Sequence, residues 1–118
     1  MSLKLLIADD EYFIRQRIKK IIPWEKLNLT FAGEAENGQQ VIDHLEKEPV
    51  DLLLLDIKMP QMNGIETARY IKEHFPSVHM LILSGYNDFE YARTVIRYGV
   101  KEYLLKPVAA EELERALS

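Results

Sequence analysis

The sequence contains no cysteine, which excludes a disulfide scaffold, a thiolate zinc site and a cysteine nucleophile, and fits a reducing compartment. It also lacks an excess of positive charge: 15 Lys and Arg against 19 Asp and Glu give a net charge of −4. Such an acidic balance disfavours direct binding of nucleic acid. No apolar run approaches the roughly 20 residues that span a bilayer, and the N-terminus does not have the pattern of a signal peptide. We therefore expect a cytoplasmic domain that contacts neither membrane nor nucleic acid.

The length and composition are those of one globular unit. The chain has 118 residues, of which 47% are hydrophobic and 29% are charged. A single core commonly forms in chains of roughly 100–150 residues. Since there is no internal repeat, low-complexity segment or linker, we predict one domain over residues 1–118.

Short apolar runs alternate along the chain with segments of helical periodicity. The predicted strands are Leu3–Ala8, Leu29–Ala35, Val50–Leu55, Val78–Leu83 and Glu102–Leu105. The predicted helices run from Ile14 to Ile22, from Gly38 to Leu45, from Ile65 to Phe75, over 87–99 and from Ala110 to Leu117. Five β-α units in series predict a doubly wound α/β fold, in which a five-stranded parallel sheet carries helices on both faces.

Two local features refine this fold. Four consecutive leucines, Leu52–Leu55, lead into Asp56, which is typical of a central strand that is buried on both faces. In the loop that follows, Asn63 and Gly64 are expected to supply the positive φ angles of a tight turn.

Polar side chains follow four of the five predicted strands. Asp9, Asp10 and Glu11 come after the first strand, and Asp56 ends the third. Ser84 follows the fourth strand and Lys106 the fifth. Because ligands of open parallel sheets bind outside the carboxyl ends of the strands, we expect these groups to share one rim.

The charges at this rim favour a hard cation and a phosphoryl group. Clustered carboxylates with one nearby lysine need a raised pKa or a bound cation. Oxygen ligands without His or Cys suit Mg²⁺. Taken one at a time, Asp9, Asp10 and Asp56 could instead cap helices, Ser84 could be turn chemistry, and Lys106 could be a solvated loop lysine. Their joint occurrence after successive strands favours phosphoryl chemistry.

The whole chain resembles the receiver domain of two-component response regulators, the CheY-like fold. The motifs that carry the resemblance are Asp9-Asp10, the run D-x-x-M-P-x-M-x-G over residues 56–64, Ser84-Gly85 and the segment YLLKP over 103–107. The resemblance implies a strand order of 2-1-3-4-5. It also implies a phosphorelay function, in which Mg²⁺-dependent transfer from a histidine kinase switches an output domain.

The resemblance also implies a role for each residue. Asp56 would be the phosphoacceptor, and Asp10 and Asp56 would bind Mg²⁺ directly. Asp9 would act largely through water, and the backbone carbonyl of Lys58 would complete the protein ligands. Lys106 would neutralise phosphoryl oxygens, and its bond to Pro107 would be cis. Ser84 would bind a phosphoryl oxygen in the active state. Tyr103 would be the aromatic switch that turns inward as Ser84 moves.

Some positions point to finer properties. Lys58 and Tyr86 would flank the phosphoryl group and influence its hydrolysis. The segments 22–25 and 83–92 resemble the subgroup whose members carry an AraC-type helix-turn-helix output domain, which would lie beyond Ser118. A homodimer or output surface would then involve the predicted helix over 87–99, the fifth strand and the last helix. For Trp24, packing over the end of the first helix is the simpler interpretation.

Three other functions remain open. A Mg²⁺-dependent phosphohydrolase with an aspartate nucleophile is disfavoured, since such enzymes usually have an acid where this chain has Lys58. A phosphorylation-independent interaction module is disfavoured by the intact acidic site. Flavin binding lacks a phosphate loop after the first strand. We expect the chain not to be an enzyme beyond its own phosphorylation and dephosphorylation.

Overall fold

The computed structural model of the protein describes residues 2–85 and 94–118. Its strands are β1 (Leu3–Ala8), β2 (Leu29–Ala35), β3 (Leu52–Asp56), β4 (His79–Ser84) and β5 (Glu102–Leu105). Its helices are α1 (Tyr12–Ile21), α2 (Trp24–Leu27), α3 (Gly38–Lys47), α4 (Gly64–His74) and a last helix, α5 (Ala110–Leu117). The helix predicted over 87–99 lies mostly outside the described residues. None of the described helices has the length and apolar character to span a membrane.

The five strands form one parallel sheet in the order β2-β1-β3-β4-β5. This order confirms the predicted doubly wound topology. The carboxyl ends of β1 and β3 are neighbours at the centre of the sheet, and β4 and β5 continue it to one side. The polar residues that follow the strands are therefore brought to one edge of the sheet, as predicted.

The leucine run of β3 shows why the sheet is buried on both sides. Leu53 and Leu55 belong to the apolar cluster that includes residues of α3 and α4. Leu52 and Leu54 belong to the opposite cluster, with residues of α1 and α5. Because alternate side chains of a strand point to opposite faces, an uninterrupted apolar run is what a doubly covered central strand requires.

The short helix α2 is a feature that the hydrophobic pattern did not predict. α1 ends at Ile21, and after Pro23 the chain makes one further helical turn, which closes at Asn28 with a φ of 55°. Trp24 begins that turn, and its indole N–H donates to the carbonyl of Lys19 over 2.8 Å. Trp24 thus lies over the end of α1, in agreement with the simpler interpretation of this residue.

Candidate functional site

Three carboxylates meet where β1 and β3 end. Asp9, Asp10 and Asp56 each offer an oxygen within 4.8 Å of the others. Asp9 is fully buried and Asp56 is 4% exposed, whereas Asp10 faces solvent. Within residues 2–85 and 94–118 this is the one acidic group with the spacing of a metal site. The parallel sheet therefore brings together the acids that the sequence predicted.

Lys106 supplies the positive charge of the site. Its Nζ lies 2.8 Å from Asp9 Oδ2 and 3.1 Å from Asp56 Oδ1. It reaches them from the end of β5, where its backbone N–H donates to the carbonyl of Ser84 over 2.8 Å and its bond to Pro107 is cis. The ammonium thus bridges the two buried carboxylates and does not point into solvent.

Burial dominates the ionisation of these groups. Desolvation, together with the charge of Asp9, raises the pKa of Asp56 from 3.8 to about 7, although Lys106 opposes the change. Burial alone would lower the pKa of Lys106, but the adjacent Asp9 and Asp56 outweigh it and leave that pKa raised. Lys106 is therefore charged at neutral pH, while Asp56 is only partly ionised until a further positive charge arrives.

The chemistry of the donors fits a small divalent cation. All three side chains present oxygen, and two of them are removed from water. Asp9 Oδ1 accepts a hydrogen bond from the backbone N–H of Glu11 over 2.9 Å. The other oxygen, Oδ2, is buried and forms an ion pair with Lys106, but among the described residues it has no hydrogen bond of good geometry. A hard ion with several remaining water ligands, such as Mg²⁺, suits this set.

Ser84 and Tyr103 form a hydroxyl pair beside the acids. Ser84 is fully buried at the end of β4, and its Oγ donates to the Tyr103 hydroxyl on β5. Tyr103 is half-buried and packs against the α3 and α4 side of the core. In this structure the aromatic ring is therefore turned inward, in contact with Ser84, the residue to which the family resemblance linked it.

The loop after Asp56 corrects one expectation. The positive φ angle lies at Gln61, at 66°, and neither Asn63 nor Gly64 adopts one. Asn63 instead caps α4 in a reciprocal capping box with Glu66. Gly64 is required by proximity, because a Cβ there would lie 2.3 Å from the carbonyl oxygen of Asp56. The need to pack α4 against β3, and not turn geometry, explains this glycine.

The remaining predicted residues lie around or away from the acids. The exposed Lys58 lines a shallow pocket with Ile57, Met59 and Asn63. Met59 is buried and Met62 packs against the core, as expected for loop packing. Tyr86, like residues 87–93, lies outside the described part of the chain.

Sequence reasoning missed an ion pair beneath the site, in which the arginine is buried and the glutamate is partly exposed. Arg15 on α1 is 5% exposed and pairs with Glu34 on β2 at 2.7 Å. The spacing along α1 could have revealed the buried arginine, because Arg15 lies on the same helical stripe as the buried Ile18 and Ile22. A charged residue at that spacing indicates a buried partner, but the partner itself is remote in sequence.

Comparison with known proteins agrees with this geometry. The family model described as the response regulator receiver domain matches residues 5–118. The structure of the REC domain of AraT, a response regulator from Geobacillus stearothermophilus, is 38% identical with a TM-score of 0.94, over 99% of this chain and 91% of that one.

Curated relatives are longer than this chain. The uncharacterized transcriptional regulatory protein YesN of Bacillus subtilis is 38% identical over 114 residues, which are 97% of this chain but 31% of YesN. The transcriptional regulatory protein HptR of Staphylococcus aureus is 37% identical over 111 residues, or 94% of this chain and 43% of HptR. The chain thus spans less than half the length of these relatives. The match over nearly all residues, together with the sheet order and the acidic rim, shows that this chain belongs to the response regulator receiver domain family.

Proposed function

We propose that this chain is the phosphoacceptor switch of a two-component phosphorelay, in which a histidine kinase transfers a phosphoryl group to Asp56. The observation that carries the proposal is the placement of the Asp56 carboxylate between two further carboxylates and the Lys106 ammonium, at 3.1 Å from Lys106 Nζ. This is a nucleophile surrounded by the groups that hold a cation and neutralise an anion.

In the proposed reaction an oxygen of ionised Asp56 attacks the phosphorus of a phosphohistidine. The new O–P bond forms as the N–P bond breaks, and the imidazole nitrogen keeps the electron pair. Lys106 offsets charge on the phosphoryl oxygens from its fixed position between Asp9 and Asp56. Positioning and charge stabilisation of this kind account for most phosphoryl-transfer catalysis.

A Mg²⁺ ion would supply further charge stabilisation to the phosphoryl oxygens. We assign its direct side-chain ligands to Asp10 and Asp56, a largely water-mediated contact to Asp9, and a backbone ligand to the carbonyl of Lys58. The all-oxygen donor set and the raised pKa of Asp56 support this assignment, because both are typical of a carboxylate cluster that accepts a cation.

After transfer, Ser84 would give its hydroxyl hydrogen bond to a phosphoryl oxygen in place of Tyr103. The Ser84 hydroxyl has a single hydrogen, which the Tyr103 hydroxyl and the carbonyl of Gly85, at 3.3 Å, accept here, so a bond to a phosphoryl oxygen would replace these contacts. Tyr103, whose ring is already turned inward here, would follow the movement of Ser84 as the aromatic switch and pass the change at the rim to the surface near β5. Lys58 and Tyr86 would modulate hydrolysis of the phosphoryl group, and an unchanged lifetime in Lys58→Ala and Tyr86→Ala would contradict that role.

We further propose that the whole protein is a cytoplasmic transcription regulator whose output domain follows Ser118. The names of the relatives YesN and HptR support a transcriptional role. The segments 22–25 and 83–92 favour an AraC-type helix-turn-helix, which the coding sequence after Ser118 would reveal. In that arrangement the receiver itself binds no nucleic acid or membrane. The exposed Ile96 and Leu105 support a homodimer through the helix predicted over 87–99, β5 and α5.

The proposal is tested by intact-protein mass spectrometry after incubation with Mg²⁺ and acetyl phosphate. We expect the addition of one phosphoryl group, which is lost in Asp56→Asn or with chelator and retained in Asp43→Asn, an exposed acid on α3. Continuous turnover of a generic phosphoester would instead identify a phosphohydrolase. No addition under any condition would identify a phosphorylation-independent interaction module.

A further inference from the structure

A buried arginine connects the acidic rim to the edge of the sheet. Arg15 on α1 donates from Nη1 to the main-chain carbonyl of Asp9 over 2.6 Å. Its Nε donates to Glu34 Oε1 on β2 over 2.7 Å, and its Nη2 lies 3.8 Å from Glu36 Oε1. The guanidinium therefore touches the backbone of the site and not its carboxylates.

The carbonyl that Arg15 holds belongs to the peptide between Asp9 and Asp10. The two neighbouring backbone restraints are the Asp9 N–H, which donates to Ala35 over 3.0 Å, and the Glu11 N–H, which donates to Asp9 Oδ1 over 2.9 Å. Because a peptide unit is planar, fixing its carbonyl also fixes the direction in which the backbone continues from Asp9 to Asp10. The contact with Arg15 thus holds the peptide that connects the two carboxylate-bearing residues.

Glu34 reaches Arg15 because β2 is irregular. The register with β1 shifts between Leu5, which pairs with Phe31, and Leu6, which pairs with Gly33. Phe31 and Glu34 are three residues apart, so a regular strand would direct them to opposite faces. With the shift, both contact α1: Lys19 Nζ lies over the Phe31 ring and 3.2 Å from Glu34 Oε2.

Glu34 is ionised at neutral pH and can therefore hold the Arg15 guanidinium in place. Burial acts to raise the pKa of Glu34, but the hydrogen bonds and charges of Arg15 and Lys19 prevail and lower it. Gln16 adds a third donor, at 3.0 Å from Oε1. A planar guanidinium can bind this carboxylate and the Asp9 carbonyl at the same time, which a lysine ammonium does less well.

We infer that Arg15 is a positioning residue for the divalent cation: anchored on Glu34, it sets the Asp9–Asp10 backbone geometry that the cation requires. The inference rests on the proposed function, because it concerns the ion that this function needs. Outer-shell partners of metal ligands typically contribute 10–100-fold to metal affinity.

The test is Mg²⁺ titration by calorimetry of the chain and four variants. We expect Arg15→Met to weaken Mg²⁺ binding about tenfold, Arg15→Lys to restore part of that loss, and Glu34→Gln to cause a smaller one. Lys19→Met is the matched control, since it removes another ion pair of Glu34 but leaves the contact with Asp9 intact. It should bind Mg²⁺ as the unmodified chain does.

Phosphorylation kinetics separate positioning from a general loss of structure. In Arg15→Met the Mg²⁺ concentration for half-maximal labelling by acetyl phosphate should rise, while the rate at saturating Mg²⁺ stays near that of the unmodified chain. Unchanged Mg²⁺ affinity in a folded Arg15→Met would overturn the inference, whatever its stability to urea. If Arg15→Met does not fold, unchanged affinity in Glu34→Gln would overturn it. Failure of the unmodified chain to bind Mg²⁺ or accept a phosphoryl group would instead refute the proposed function.

Discussion

Binding of Mg²⁺ at the rim should release a proton from Asp56. The pKa of this carboxyl is about 7 because it is buried beside Asp9, and a carboxylate must be ionised to ligate the cation. At pH 7 about half of the free protein carries this proton, so each bound ion displaces roughly 0.5 proton. The same equilibrium gives roughly 0.9 proton at pH 6 and 0.1 at pH 8.

The affinity for Mg²⁺ should change with pH to the same extent. The ionised fraction of Asp56 rises from about 0.09 at pH 6 to about 0.91 at pH 8, so the dissociation constant should fall about tenfold, or about 1.4 kcal/mol. Calorimetry in two buffers that differ in ionisation enthalpy measures the protons and the affinity together. Asp43→Asn, on the exposed side of α3, should leave both unchanged.

Stability without metal provides an independent check. The folded protein holds the Asp56 proton more tightly than the unfolded chain, so the free energy of unfolding should fall as pH rises from about 4 to about 7. The difference between 3.8 and about 7 sets an upper limit of about 4 kcal/mol. Asp56→Asn should therefore stabilise the metal-free protein at pH 8 more than at pH 5. Absence of proton release at pH 6, with a flat stability profile, would refute the argument that burial controls this carboxyl.

Three further substitutions test other parts of the structure. Phe13 is 83% exposed at the start of α1, which follows β1 directly after the rim. If the proposed histidine kinase contacts this side chain, Phe13→Ser should slow transfer from the kinase about tenfold and leave labelling by acetyl phosphate unchanged; equal slowing of both would contradict a docking role. Tyr103→Phe removes one of the two acceptors of the Ser84 hydroxyl, the other being the carbonyl of Gly85 at 3.3 Å. It should cost about 1 kcal/mol in urea unfolding; no loss would mean that the contact with Gly85 is sufficient for Ser84. Gly64→Ala places a methyl group 2.3 Å from the Asp56 carbonyl and should cost about 2 kcal/mol and slow labelling, whereas wild-type behaviour would show that the close approach relaxes easily.

The sheet and its acidic rim were predictable because each depends on a local pattern. The run Leu52–Leu55 requires burial on both faces, and the strand order then brings Asp56 beside Asp9. The helical stripe through Ile18 similarly places α1 against the sheet. The periodicity of each element and the rule that parallel strands end at one edge predict a shared rim. The strand order that places Asp56 beside Asp9 was implied by the family resemblance and not by periodicity.

The features that sequence reasoning missed depend on contacts between remote segments. Asn63 and Gly64 have the composition of a turn, but the packing of α4 beneath Asp56 determines their conformation. The positive φ angle of this loop lies at Gln61 instead. The Arg15–Glu34 pair depends on a one-residue register shift in β2 that no periodicity predicts. A single slip reverses the face on which every later side chain of a strand lies.

The charge at the rim also constrains the order of events in the proposed reaction. Three ionised carboxylates and Lys106 sum to −2, and two carboxylates at about 4 Å repel by roughly 4 kcal/mol at an effective dielectric near 20. A phosphodonor that approaches this rim brings further negative charge, and Asp56 must also lose its proton before it can attack. One divalent cation meets both requirements, since it cancels the net charge and favours the ionised nucleophile. The cation should therefore bind before the phosphodonor, and raising the acetyl phosphate concentration should not replace Mg²⁺ in the labelling reaction.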